Sequence, residues 1–85
     1  MEKRPRYLFK KELKYEFLRG MKLKYIADNV GISYSYISSI IQGRNVVDDY
    51  LMDKIMLCIG YTISELKNTK KTYFILDKKR IGEEG

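Results

Sequence analysis

Apolar residues between positions 20 and 43 recur every three to five residues, in two runs that a glycine separates. The runs are Met21, Ile26, Ala27 and Val30, and then Ile32, Ile37, Ile40 and Ile41. This spacing predicts two short helices, from about Leu23 to Val30 and from about Tyr34 to Gln42. Gly31 can take a positive φ between them without steric penalty, and Ser33 offers an N-cap oxygen to the second helix. The stretch therefore predicts two packed helices joined by a tight turn.

A first helix is expected ahead of this pair. Phe9, Leu13 and Phe17 recur at a spacing of four, which predicts a helix from Tyr7 to Arg19 that ends at Gly20.

Two further helices are expected after the pair. Asp48 is a suitable N-cap for a fourth helix that ends near Ile59, with Gly60 as its C-terminal glycine. Thr62 and Glu65 have the spacing of a capping box, which predicts a short fifth helix through Leu66 or Lys67.

The segment after the fifth helix has a different character, because Thr72 to Leu76 is rich in residues that favour β-strands. A lone strand has no backbone partner inside a helical domain. We therefore expect either that it pairs with the same strand of a second subunit, or that it forms an irregular tail. The strand residues that would form the dimer are Tyr73, Phe74, Ile75 and Leu76. A dimer through the fourth and fifth helices is the alternative, with apolar material from Tyr50, Met52, Met56 and Tyr61.

With 85 residues, the chain has room for one small domain. The predicted fold class is all-α, a five-helix domain with a possible C-terminal β-strand. We divide the chain into a flexible basic arm (1–6), a helical domain (7–67) and a C-terminal extension (68–85).

The net charge of +6 is unevenly distributed. Residues 1–24 carry nine Lys or Arg and three Glu, residues 25–66 carry two Arg or Lys and five acids, and residues 67–85 carry six Lys or Arg and three acids. The two ends are thus basic and the middle is not. Basic surface suits phosphate binding, although it also keeps a small protein in solution.

Other function classes find little support in the composition. The chain has no histidine, no glycine-rich phosphate loop and no cluster with metal-ligand spacing, so we expect neither an enzyme nor a metal, cofactor or small-molecule ligand. One cysteine excludes an internal disulfide. No apolar run is long enough to cross a bilayer and no signal peptide is recognisable, so we expect a cytoplasmic protein without membrane contact.

The central stretch resembles the phage-repressor and Cro-type (XRE-type) helix-turn-helix proteins. The residues that carry the resemblance are Gly20-Met21, Ile26-Ala27, Val30-Gly31-Ile32-Ser33, Tyr36-Ile37-Ser38, Ile40 and Gly43, with a looser likeness from Asp48 to Leu66. It covers about residues 10 to 67. The resemblance implies a double-stranded DNA-binding regulator whose third helix enters the major groove.

The face of the third helix opposite its isoleucines carries uncharged polar side chains, Tyr34, Ser35, Ser38, Ser39 and Gln42. The resemblance assigns base contacts to Tyr34, Ser35 and Ser39, and we add Ser38 from the same stripe. Phosphate contacts are expected from Ser33, Gln42, Arg44, Asn45, Lys22 and Lys24. Lys3, Arg4 and Arg6 would form a basic arm.

The chain departs from the family pattern at two positions. Leu23 stands where the family usually has a glutamine that touches phosphate, and Ile41 stands where it often has a glutamate. If either side chain is exposed, we expect a partner or the C-terminal segment to cover it.

Two functions remain open from the sequence. The first is a homodimeric transcriptional regulator, expected to be a repressor of phage or mobile-element type that binds an inverted repeat. The second is a protein-interaction module, similar to an antirepressor or an antitoxin, which would use the same surface for a protein partner.

Overall fold

The computed structural model describes residues 5–77. Its strands are β1 (Arg6–Phe9), β2 (Val47–Asp48) and β3 (Phe74–Leu76), and its α-helices are α1 (Lys14–Leu18), α2 (Leu23–Val30), α3 (Tyr34–Ile41), α4 (Asp49–Ile59) and α5 (Leu66–Tyr73). Short 3-10 turns precede α1 (Lys11–Leu13) and α5 (Ile63–Glu65). The fold is mostly helical, with five α-helices and one small sheet.

The central helix pair has the predicted bounds, except that α3 ends one residue early, at Ile41, and local capping explains where the helices end and begin. Gly31 ends α2 at φ +88°, in the left-handed region that a side chain disfavours. Ser33 caps α3, because its Oγ accepts a hydrogen bond from the Tyr36 N–H at 3.1 Å. The predicted helix-turn-helix geometry is therefore confirmed.

The predicted N-terminal helix begins too early. Tyr7, Leu8 and Phe9 lie in β1, and the helical part starts only at Lys11. The four-residue spacing of Phe9, Leu13 and Phe17 does place apolar side chains on the core side. Phe9 reaches that side from a strand, because distant parts of the chain offer its backbone hydrogen-bond partners.

The fourth helix agrees with prediction, and the fifth is longer than predicted. Asp48 caps α4 through a 2.8 Å bond from the Leu51 N–H, and Gly60 ends it. The capping box of Thr62 and Glu65 is present. The helix that follows continues through Tyr73, so the expected boundary at 67/68 falls inside α5.

The three strands form one antiparallel sheet in the order β2-β1-β3. Tyr7 pairs with Val47 on one side and with Leu76 on the other, and Phe9 pairs with Phe74. The expectation that the C-terminal strand lacks a partner in its own chain is therefore wrong. Its partner is the segment for which the sequence pattern predicted a helix.

An aromatic cluster joins this sheet to the helices. The Phe17 ring lies 5.0 Å from that of Phe9, 5.5 Å from Phe74, 5.2 Å from Tyr73 and 5.6 Å from Tyr61, between ring centroids. The Tyr61 hydroxyl donates to the Phe17 carbonyl oxygen at 2.8 Å, which satisfies a buried polar group. The cluster fixes the sheet against α1 and the C-terminal end of α5.

The helix surface proposed as an alternative dimer interface is mostly unavailable. Met52 and Met56 are fully buried, and Tyr61 is 5% exposed, so all three belong to the core of the subunit. Tyr50 alone of that set is exposed. On the segment from α4 to the turn before α5, Leu57 and Ile63 are the other exposed large apolar residues.

Within residues 5–77, no helix combines the length and the apolar character that crossing a membrane requires.

Candidate nucleic-acid interface

The polar stripe of α3 is on the surface of the molecule. Tyr34 is 57% exposed and Ser35 is also exposed, while Ser38 and Ser39 are half-buried. The opposite face, Ile37, Ile40 and Ile41, is buried in the core. The α3 helix is thus anchored by three isoleucines and presents small polar groups outward.

The last turn of the stripe is internally hydrogen-bonded. The Gln42 side-chain amide donates to the Ser38 hydroxyl oxygen at 2.8 Å. This contact orients both side chains before any ligand arrives. The Ser38 hydroxyl proton and the Gln42 carbonyl oxygen are still free to bond outward.

The N-terminal ends of α2 and α3 differ in how they are capped. Ser33 uses its Oγ as the acceptor for the cap of α3, so its hydroxyl has only a proton to offer an acceptor outside. Lys22 occupies the N-cap position of α2 and its side chain has no acceptor, so the backbone N–H groups there are not capped by it. Lys22 and Lys24 are exposed beside this end.

The loop after α3 is held firmly against both α3 and the sheet. The N–H groups of Arg44 and Asn45 donate to the Ser39 carbonyl oxygen at 2.9 and 3.3 Å. Gly43 has φ +77°, and a Cβ there would lie 3.3 Å from the Phe9 carbonyl oxygen. Glycine therefore allows β1 to approach the C-terminal end of α3, which fixes the exposed Arg44 and Asn45 beside it.

Arg6 does not belong to a flexible arm. It is the first residue of β1, where its carbonyl oxygen accepts a 2.8 Å bond from the Asp77 N–H. The carbonyl of the preceding Pro5 accepts from the Asp49 N–H at 3.1 Å. Lys3 and Arg4 lie outside the described residues.

Tyr36 is a surface residue to which the sequence pattern assigned no site role. It is 37% exposed and lines a shallow groove with Arg6, Arg44, Asn45 and Asp77. Tyr36 precedes the buried Ile37, so a helical projection of the sequence places it at the edge of the apolar face. That projection alone did not suggest a contact with β1, because the strand was not predicted.

The two departures from the family pattern need no partner. Ile41 is 1% exposed and lies in the core, on the same inward face as Ile37 and Ile40. Leu23 is half-buried and packs against the same core. Both side chains are accommodated within the subunit.

Exposed cations lie on the segments next to α3. Lys22 and Lys24 are exposed at the start of α2, and Arg44 is exposed just beyond the end of α3. Neutral hydrogen-bonding groups on α3 suit contacts with base edges, and cations on the neighbouring segments suit contacts with phosphates. The base and phosphate contacts of these residues stay predictions.

Comparison with known proteins gives one family match. The family model described as Helix-turn-helix matches residues 10–66, which is most of the chain and includes α1 to α4. No curated protein and no solved structure matches. The matched stretch contains the helix pair, the polar stripe and the loop that follows. The chain therefore belongs to the XRE-type helix-turn-helix family of DNA-binding transcription regulators.

Proposed function

We propose that this regulator is a homodimeric repressor of phage or mobile-element type that binds an inverted-repeat operator and blocks a promoter. The observation that carries the proposal is the exposed, uncharged stripe of α3 on a helix anchored by three buried isoleucines. A rigid helix with outward hydrogen-bonding groups is suited to the major groove. Repression by occlusion requires only binding, and binding is the activity that this surface supports. The site of action is the cytoplasm.

In this proposal, Tyr34, Ser35, Ser38 and Ser39 contact base edges. A serine hydroxyl can donate to or accept from several base edges, and a tyrosine ring can also pack on a thymine methyl group. Each such contact discriminates less than a bidentate arginine–guanine pair. We therefore expect DNA shape to share in the specificity.

Phosphate contacts come from the start of α2 and from both ends of α3. Lys22 and Lys24 lie at the start of α2, where the N-cap side chain does not bond the first N–H groups, and Ser33 offers its hydroxyl proton. Gln42, Arg44 and Asn45 lie at the end of α3 and in the loop after it. These contacts would set the register of α3 in the groove without reading sequence.

Dimerisation is proposed through the outer edge of β3. Within residues 5–77, β3 is an edge strand of the sheet, and Ile75 and Leu76 are 54% and 38% exposed. An exposed apolar edge strand is a ready partner for a second strand. Tyr73 and Phe74 are buried in their own subunit, so they support the edge instead of contacting the partner.

Selection of bound duplexes from a random DNA pool at about 0.15 M salt tests this function, because purely electrostatic binding is weak there. We expect enrichment of an inverted repeat with half-sites about 34 Å apart, one helical turn. Enrichment of a single half-site would contradict the proposed dimer but would still agree with sequence-specific DNA binding. Binding without any enriched motif would contradict sequence-specific recognition.

Base contacts are tested by repeating the selection with Ser35→Ala and Ser39→Ala, with Ser64→Ala as the matched control on an exposed turn. We expect the enriched motif to change for the first two variants and not for the control. If neither variant alters DNA selection but both abolish a protein complex, the protein-interaction function replaces this one.

A further inference from the structure

The groove beside α3 has the chemistry of an anion site. Arg6 and Arg44 contribute positive charge, Asp77 contributes one negative charge, and Tyr36 and Asn45 contribute neutral hydrogen-bond donors. Two arginines against one aspartate leave the groove net positive. Arginine, tyrosine and asparagine side chains are all common donors to phosphate oxygens in protein–DNA complexes.

The surface groove lies beside α3, where one DNA backbone would pass if α3 entered the major groove. It lies between β1 and α3, with Tyr36 from the first turn of α3 on one side and the loop of Arg44 and Asn45 beside it. A helix that lies in the major groove, about 12 Å wide, has a sugar–phosphate backbone on either side. Lys22 and Lys24 are exposed at the start of α2 and do not line this groove, so we expect the two groups of cations to face different phosphates.

From these observations we infer that the groove between β1 and α3 is a second backbone-binding site for duplex DNA. Arg6 and Arg44 bind phosphate oxygens, and the Tyr36 hydroxyl donates a neutral hydrogen bond to the same strand. The site is assembled from the sheet and the α3 helix together, so β1 takes a direct part in binding. This inference rests on the proposed function and deepens it.

The backbone geometry holds this site in place before DNA binds. The backbone N–H groups of Asp49 and Asp77 donate hydrogen bonds to the carbonyl oxygens of Pro5 and Arg6. Gly43 permits the close approach of the loop to Phe9. A cation on a fixed strand loses less conformational entropy on binding than one on a mobile arm.

Arg6→Gln tests the charged part of the site, with Lys67→Gln as its control. Both residues are exposed, both changes remove one positive charge, and Lys67 is on α5, away from the groove. Each phosphate contact adds about 0.9 to the slope of log affinity against log salt. Raising the salt from 50 to 200 mM lowers the affinity for DNA by a certain factor. We expect this factor to be about threefold smaller for Arg6→Gln than for the wild type. Lys67→Gln should keep the wild-type slope.

Tyr36→Phe tests the neutral donor separately. It removes one hydroxyl and keeps the ring, so we expect weaker binding with an unchanged salt slope, because no counterion is released by a neutral contact. The enriched motif should stay the same for Arg6→Gln and Tyr36→Phe, since neither residue is proposed to touch a base. Circular dichroism and the thermal midpoint would show that both variants fold.

The failure of this inference differs from the failure of the proposed function. If wild-type protein binds its duplex but Arg6→Gln and Lys67→Gln share one salt slope, the groove site is wrong and the regulator stands. If Arg6→Gln changes the enriched motif, the groove contacts bases and the backbone role is wrong. Wild-type protein that binds no duplex would overturn both.

Discussion

At the residue scale, backbone conformation and capping decide where the helices of this chain begin and end. Ser33 and Asp48 each accept a hydrogen bond from an N–H three residues onward, and Gly31 and Gly60 end α2 and α4 at positive φ. All these interactions are local in sequence. They explain why the bounds of α2 and α4 were predictable.

Gly31→Ala tests the role of this backbone conformation. A Cβ at position 31 has nothing within 4 Å, so the cost is purely conformational. We expect the free energy of unfolding in urea to fall by about 1 kcal/mol, with an unchanged m-value. For Gly31→Asn, we expect a smaller loss in the free energy of unfolding, because asparagine tolerates the left-handed region. An equal loss for the two variants would contradict this explanation.

The Tyr73 hydroxyl donates a hydrogen bond to the Glu16 Oε2 at 2.8 Å. Burial, together with this hydrogen bond, raises the pKa of Tyr73 from 10 to about 12. Folding therefore favours the protonated phenol. Its contribution to stability is complete below pH 10 and is lost as the pH rises from about 10 to 12.

Tyr73→Phe removes this ionisation. We expect the variant to be less stable than the wild type at pH 8, by about 1 kcal/mol in urea unfolding. The difference should shrink as the pH rises from 10 to 12. The control is Tyr15→Phe, because Tyr15 is 81% exposed. A wild-type advantage that stays constant up to pH 12 would argue against the raised pKa.

At the scale of elements, the sequence predicted helices better than strands. The caps and the periodicity of α2, α3 and α4 lie within a dozen residues, whereas Tyr7 pairs with Val47 and Leu76 far along the chain. Nothing local in residues 6–9 indicates those partners. Because of this long-range pairing, Arg6 lies in β1 and lines the groove, where the sequence predicted a flexible arm. The polar stripe of the candidate site was therefore predictable, and the groove was not.

The contact of α5 with α4 gives a testable link between elements. Lys70 Nζ donates to Asp49 Oδ1 at 2.6 Å and forms an ion pair with Asp53 Oδ1 at 2.9 Å. Burial alone would lower the pKa of Lys70, but the hydrogen bonding and the two aspartate charges outweigh it and raise the pKa. The lysine thus forms ion pairs with two carboxylates that stand one helical turn apart.

Lys70→Met leaves Asp49 and Asp53 facing each other without a cation. We expect a loss of about 1 kcal/mol in the free energy of unfolding, since the aspartate side chains are about a third exposed and solvent screens them. The loss should be smaller at high salt. Lys67→Met, at an exposed position of the same helix, is the control. Equal stability of the two variants would show that the ion pairs contribute little.

At the scale of the whole molecule, the sheet connects the proposed dimer to the proposed DNA surface. One side of β1 pairs with β2 and the other with β3, and Arg6 at its start lines the groove beside α3. A second copy on the outer edge of β3 would extend the same sheet across a two-fold axis. The separation of the two α3 helices would then depend on this edge, and with it the spacing of the half-sites.

Ile75→Lys tests this arrangement. A charged side chain on an edge strand opposes pairing with another strand, and Ile75 is 54% exposed, so the subunit itself should still fold. We expect sedimentation equilibrium to show a monomer, and binding to an inverted repeat to fall to that of a half-site. Ile63→Lys is the control, because Ile63 is 79% exposed on the turn before α5 and outside the sheet. If Ile63→Lys gives the monomer and Ile75→Lys stays dimeric, the interface involves the helices near Ile63. The proposal that the sheets of two subunits join through β3 is then wrong.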